Sequence, residues 1–195
     1  VMTDRFLDGD TSNNIPPGSD PDLYDASQSQ ITKYHGGDLR GLELAIQSGY
    51  FEKLGVTAIW ITPPVRNAWN SSYDLGGPKT GYHGYWAQDF LDIDPHLTSR
   101  LSLTGKPYTD DRDGRMQHYK DFIDLAHRHH LKIIQDVVCN HVGPLFYYDT
   151  NGNARFDTQE SYEWVQPYRK DEPYGSATWA SIPEWNLIPP GTAGQ

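Results

Sequence analysis

The sequence predicts an α/β fold built on parallel strands. Apolar runs of strand type alternate with stretches of helical period along residues 1–141. The strand runs are nearly continuous in apolar residues, as a parallel sheet covered by helices requires. Long polar segments follow the strands. The order strand, helix, strand, helix, strand implies parallel strands joined by right-handed helical crossovers.

Val1–Arg5 is short and partly apolar and reads as the tail of a first strand. Leu7–Gln30 is polar, carries Pro16-Pro17-Gly18 and reads as a long loop. Leu42, Ala45, Ile46, Gly49 and Tyr50 recur at helical spacing and place a helix over Leu42–Leu54, closed by Gly55. Val56–Ile61 is β-branched and apolar, ends before Pro63-Pro64 and reads as a buried second strand. Tyr119, Phe122, Ile123 and Ala126 mark a second helix over Gln117–His129, and Leu131–Val138 reads as the third strand. About 50 residues of loop precede the second helix and about 55 follow the third strand. Loops of that length are usually functional. They leave the carboxyl ends of the strands, where a β/α barrel builds its active site.

A chain of 195 residues makes one large domain or two small ones. Its 16 basic and 26 acidic residues give a net charge of −10, which argues against a nucleic-acid partner. No run of 18 apolar residues occurs, so no membrane span is expected. The first residues lack a basic-then-apolar leader pattern, and the expectation is a mature secreted or periplasmic form. Cys139 is the single cysteine and excludes an internal disulfide.

Three motifs carry chemistry. Asp136-Val137-Val138-Cys139-Asn140-His141 ends an apolar strand in groups able to bind a ligand or metal. Asp136 lies among apolar residues, so burial and a partner are expected for it. The plainer reading is a strand ending in an Asn-His turn. Gly81-Tyr82-His83-Gly84-Tyr85-Trp86 combines aromatic faces, which stack on sugar rings, with a histidine that bonds hydroxyls. An aromatic cluster pinning a loop is the alternative. Asp8, Asp10, Asn13 and Asn14, with His35-Gly36-Gly37-Asp38 downstream, offer the oxygen ligands that a hard cation such as calcium takes. A solvated turn using Asp and Asn for local backbone bonds is the alternative there.

Together these motifs resemble the alpha-amylase family of glycoside hydrolases. The strand-three hexapeptide is similar to that family's first signature, and Tyr82-His83-Gly84-Tyr85-Trp86 to the segment after strand two that lines the sugar site. Asp4-Arg5-Phe6, Asp8-Gly9-Asp10 and Asn13-Asn14 resemble the calcium loop of its cyclodextrin glucanotransferase and cyclomaltodextrinase branches. The resemblance implies the N-terminal portion of a TIM (β/α)8 barrel. Residues 1–141 would supply the first three βα units, and 142–195 part of a loop-rich B-domain insertion after strand three. It implies that His141 bonds the sugar at the cleavage point and that Tyr85 stacks beneath it, with His83 and Trp86 completing the wall. Asp136 would organise the site without doing the chemistry. Asp8, Asp10, Asn13, Asn14, the Gly36 carbonyl and Asp38 would hold one calcium, and Asn140 a second that ties the B domain to the barrel. Asp149–Glu160 reads as a further calcium loop, with oxygen side chains at EF-hand-like positions although Ala154 stands where the usual glycine would be, or alternatively as an ordinary Asn-Gly turn.

A retaining glycosidase needs two carboxyl groups about 5–5.5 Å apart. The family carries them on strands four and five, and no such signature occurs here. Arg112-Asp113-Gly114 imitates the nucleophile motif but reads as a turn. A complete barrel has eight strands in about 250 residues, and three are found. The expectation is therefore a fragment of a retaining alpha-glucan-active enzyme that cleaves or transfers alpha-1,4-glucosidic bonds. By itself it would be inactive, and its partners would be the alpha-glucan and the C-terminal part of the same enzyme. The alternative is a non-catalytic amylase-like domain, acting in carbohydrate binding or as a transporter-associated ectodomain.

Overall fold

The computed structural model describes residues 1–69 and 79–141. The segments 142–195 and Asp149–Glu160, read above as B domain and calcium loop, lie outside the described residues.

Helix α1 spans Leu39–Gln47 and starts earlier than the hydrophobic period suggests. Asp38 caps it, accepting from the Gly41 N–H at 2.7 Å, and satisfies a donor the first turn would leave orphaned. Leu39, Leu42, Ala45 and Ile46 form its buried stripe. The single helix expected over Leu42–Leu54 is two. Gly49 takes φ +72°, a left-handed conformation that an α-helix does not hold, and α2 restarts at Tyr50–Lys53. Helix α3, Arg112–Arg128, also begins earlier than Gln117. Asp111 caps it through the Gly114 N–H at 2.9 Å, so Arg112-Asp113-Gly114 is the first helical turn and not a separate turn. Capping side chains, not apolar period, set both starts.

Strands β1 (Ala58–Ile61) and β4 (Lys132–Gln135) pair in parallel, with Ile59 opposite Ile133 and Trp60 opposite Ile134. Both are shorter than the apolar runs that predict them. The first-strand expectation survives at Val1 alone. Its carbonyl accepts from Thr62 N–H at 3.1 Å and its amino group bonds the Trp60 carbonyl, after which Thr3–Arg5 turns as a 3-10 helix. The long loop expected after β1 contains an antiparallel pair, β2 (Val65–Asn67) and β3 (Ala87–Ile93), whose register shifts on either side of Arg66.

The core lies between the helices and one face of β1 and β4. Leu39, Leu42, Ile46, Phe51, Ile59, Ile61, Phe122, Leu125 and Leu131 meet there. Each such side chain contributes about 1.5–3 kcal/mol by leaving water. Among the described residues nothing covers the other face: Trp60 is 60% exposed and Ile134, its register partner, 48%. The continuous apolar runs thus reflect a sheet meant for cover on both faces, of which the described residues supply one.

Candidate sugar wall and calcium loop

The sequence-predicted wall residues converge. The Tyr85 hydroxyl donates to Asp136 Oδ2 at 2.9 Å, joining the segment after β2 to the end of β4. This gives Asp136 the partner its setting demands, although it is half-buried and not buried. The bond favours the protonated phenol and pushes the Tyr85 pKa up. Tyr85 N–H donates to His83 Nδ1 at 3.0 Å, and the His83 and Tyr85 rings stack with centroids 5.7 Å apart. The Trp86 ring meets His83 edge-on at 4.6 Å. His141 Nε2 lies 3.0 Å from the Tyr85 carbonyl, which can only accept, so that nitrogen carries the proton. His141 Nδ1 then accepts from Asn140 Nδ2 at 3.3 Å. Asn140 is exposed, and Cys139 beside it is a free exposed thiol.

Sequence reasoning missed what holds the wall from behind. Gly84 brings its backbone so close to Pro63 that a Cβ would lie 2.4 Å from the Pro63 carbonyl oxygen, and its φ is +83°. Asn67 Oδ1 accepts from Trp86 N–H at 2.7 Å. Asp94, buried, accepts from Asn67 N–H at 2.9 Å, Trp69 Nε1–H at 3.3 Å and the His96 backbone N–H at 2.9 Å, and pairs with His96 Nδ1 at 2.9 Å. Burial pushes the Asp94 carboxyl up, but the His96 bonds and charge and the Asn67 N–H outweigh it, leaving the pKa below its usual value. Asp94-Pro95-His96 carried a local signal, an aspartate capping a short turn that starts with proline.

The candidate calcium loop gathers around Asp38. Asp38, fully buried, accepts from Gly9 N–H and Gly41 N–H through Oδ1, and from Asp10 N–H and Asn13 Nδ2 through Oδ2, at 2.7–3.1 Å. Burial pushes its pKa up to about 6, with nearby Asp8 adding to the effect and the donated N–H groups opposing it. Asp10 accepts from the N–H and hydroxyl of Ser12. Asn14 Nδ2 donates to Asp8 Oδ2 at 2.8 Å. Gly36 closes the ring, since a Cβ there would lie 2.5 Å from Asn14 Oδ1 and 2.7 Å from Asp8 Oδ2. Asp8 Oδ1, Asn13 Oδ1 and Asn14 Oδ1 are buried acceptors without a hydrogen-bond partner. Orphaned oxygens of that kind fit a hard cation and have no use for a soft one. Among the described residues no group of three or more His, Cys, Asp or Glu gathers as a metal site. The loop draws instead on asparagine oxygens. No described helix is long and apolar enough to cross a membrane.

The family model described as "Alpha amylase, catalytic domain" matches residues 1–186. The chain is 41% identical over 145 residues to a cyclomaltodextrin glucanotransferase of Thermoanaerobacterium thermosulfurigenes, covering 74% of this chain and 18% of the relative. It is 38% identical over 145 residues to an alpha-amylase of Niallia circulans, covering 74% of this chain and 24% of the relative. Among solved structures it is similar to CldA, a cyclomaltodextrin glucanotransferase with a three-domain ABC distribution. The TM-score is 0.61 at 36% identity, over 74% of this chain and 25% of that one. The gamma-CGTase of Alkalophilic bacillus clarkii gives a TM-score of 0.58 at 34% identity, over 74% and 18% of the two chains. The chain thus spans about a fifth of the length of these relatives.

Proposed function

Because the chain belongs to the alpha-amylase family, whose catalytic domain is a TIM barrel, we propose that it forms part of a retaining alpha-glucan-active enzyme cleaving or transferring alpha-1,4-glucosidic bonds. The observation that carries this reading is the convergence of Tyr85, His83, Trp86, Asp136 and His141 on one wall. Tyr85 is 38% exposed and offers a ring face to a sugar. His141 is exposed, and a sugar hydroxyl competes with the Tyr85 carbonyl for its Nε2 proton. Asp136 organises the wall through the hydrogen bond it accepts from Tyr85. On this reading the nucleophile and proton donor lie outside the described residues.

The calcium proposal follows from the loop's own deficit of donors. Asp8, Asn13 and Asn14 would bind through the orphaned oxygens, with the Gly36 carbonyl, Asp10 and Asp38 completing the set. A bound calcium supplies structural cross-linking and no catalytic step. Asn140 would serve a second calcium.

The test is to assay the complete protein containing this chain on soluble maltodextrin and analyse the products. Cleavage or transfer of alpha-1,4 bonds supports the reading. A protein that binds maltodextrin without turning it over would instead be the non-catalytic relative.

A further inference from the structure

Arg5 has no role in the function proposed above, yet it lies between the two clusters. Its Nη2 donates to the carbonyls of Ile31 and Lys33, both at 2.8 Å, and its Nε pairs with Asp4 at 3.2 Å. Its guanidinium carbon sits 3.8 Å from the centre of the Tyr82 ring, close enough for a strong cation–π contact. Tyr82 in turn meets the His83 ring edge-on at 5.1 Å. Arg5 Nη1 is buried with no hydrogen-bond partner, so the fork is not fully compensated. We propose that Arg5 is a positioning residue for the sugar wall, holding the Tyr82–His83 arm so that His83 Nδ1 accepts from the Tyr85 N–H.

The hydrogen bond sets the chemistry. His83 Nδ1 can accept only while it carries no proton, which fixes the neutral ring with its proton on Nε2. An imidazolium has no lone pair to offer, and Tyr85 would lose the bond that aims its backbone. Tyr85 also carries the carbonyl facing His141 and the hydroxyl bonded to Asp136, so the whole wall shifts with it. Burial lowers the His83 pKa, and the Arg5 charge lowers it further. Asp4, paired with Arg5, tempers that charge. Tyr82, Tyr85 and Trp86 are the rings packed on His83, and Asp136 and His141 reach it through Tyr85. Arg5 thus does two things. Its planar fork fixes the arm to the 31–33 backbone, and its charge keeps His83 in the accepting form.

The inference rests on the reading of this wall as a sugar site, and its test separates the two. The imidazole nitrogens of His83 are followed by ¹⁵N NMR across pH in the complete protein, as wild type, Arg5→Met and Arg5→Lys. Maltodextrin kcat/KM is measured against pH in parallel. Arg5→Met should move the His83 titration and the acid limb of kcat/KM to higher pH, and lower the plateau up to about 10-fold through misplacement of the wall. Arg5→Lys keeps the charge and loses the fork, so the titration should stay while kcat/KM falls. A His83 titration unchanged in Arg5→Met, or a wild-type kcat/KM in Arg5→Lys, overturns the proposal. The second result decides it even where Arg5→Met does not fold. A wild type inert toward maltodextrin whose His83 titration still moves in Arg5→Met overturns the sugar reading and supports the Arg5–His83 link.

Discussion

The loop around Asp38 and the wall around Tyr85 are both built from polar side chains, and they balance their hydrogen bonds differently. The loop buries Asp38, Asn13 and Asn14 and is rich in acceptors: four N–H groups already converge on Asp38, and three more oxygens have no donor. The wall is more exposed and closed on itself, since Tyr85 donates to Asp136 and His83 and accepts from His141. A buried orphan acceptor costs on the order of 1–3 kcal/mol, and a bound cation would offset that cost at all three oxygens. The wall needs no such compensation and can hold its shape before a sugar arrives. On the proposed reading, one region gains stability from a bound cation and the other is preorganised for a sugar.

The largest effect should come from separating the wall from the rest of the complete protein. Positioning a glucose ring supplies neither nucleophile nor proton donor. Residues 1–195 expressed alone should leave maltodextrin intact, and activity should appear when the remainder of the complete protein is supplied as a second chain. Cleavage by the purified segment, abolished by Asp113→Asn, would put chemistry where α3 begins and break the division of labour between the clusters. Within the complete protein, His141→Ala should lower kcat and kcat/KM together by roughly 100-fold, equal to about 2.7 kcal/mol. The ring's Nε2 proton matters most as the sugar flattens toward an oxocarbenium ion. A rise in KM with kcat unchanged would reduce His141 to ground-state binding.

What the sequence revealed follows the same divide. Side chains that act through local spacing were legible: the Asp8–Asn14 run, the Tyr82–Trp86 aromatics and the Asp136–His141 strand end each announced themselves within a few residues. Period also located α1, α3, β1 and β4. Features made by long-range pairing were not legible. β3 follows the aromatic motif directly, and its pairing with β2 crosses about 20 residues, so Ala87–Ile93 read as loop. Asn67 and Asp94 support Trp86 from another element, and no spacing rule connects them. Helix starts were misjudged because a capping aspartate outside the apolar stripe decides them, at Asp38 and Asp111.

Chelation should separate the two regions at intermediate size. A cation bound only to the folded state at about 100 times its dissociation constant stabilises by about 2.7 kcal/mol. Removing calcium should lower the melting temperature of the complete protein by several degrees, and Asn13→Ala should blunt the response. The wall's own bonds should persist, so the His83 titration should not move on chelation. A melting curve indifferent to both chelator and Asn13→Ala would mean that the three orphaned oxygens are satisfied in some other way.

The smallest effect concerns the backing of the wall, where a proton and not a metal should control stability. Asp94 is buried, and its pKa lies below the unfolded value because the bonds and charge of His96 and the N–H of Asn67 outweigh burial. A depressed carboxyl contributes stability that is fully present above its unfolded pKa, about 3.9, and is lost as pH falls through the folded pKa. Asp94→Asn keeps the shape but loses the charge-assisted bonds, at a cost of about 1–3 kcal/mol near pH 7. The variant should therefore melt a few degrees below wild type at neutral pH. Acidification below about pH 4 should narrow the gap, because wild-type Asp94 then takes up the proton that the amide never needed. Chelator should leave the gap unchanged, which distinguishes this anchor from the loop. A gap that widens on acidification would mean that Asp94 is strained by its burial and not held by His96, and the wall would owe its order to its packing against Pro63 and Asn67.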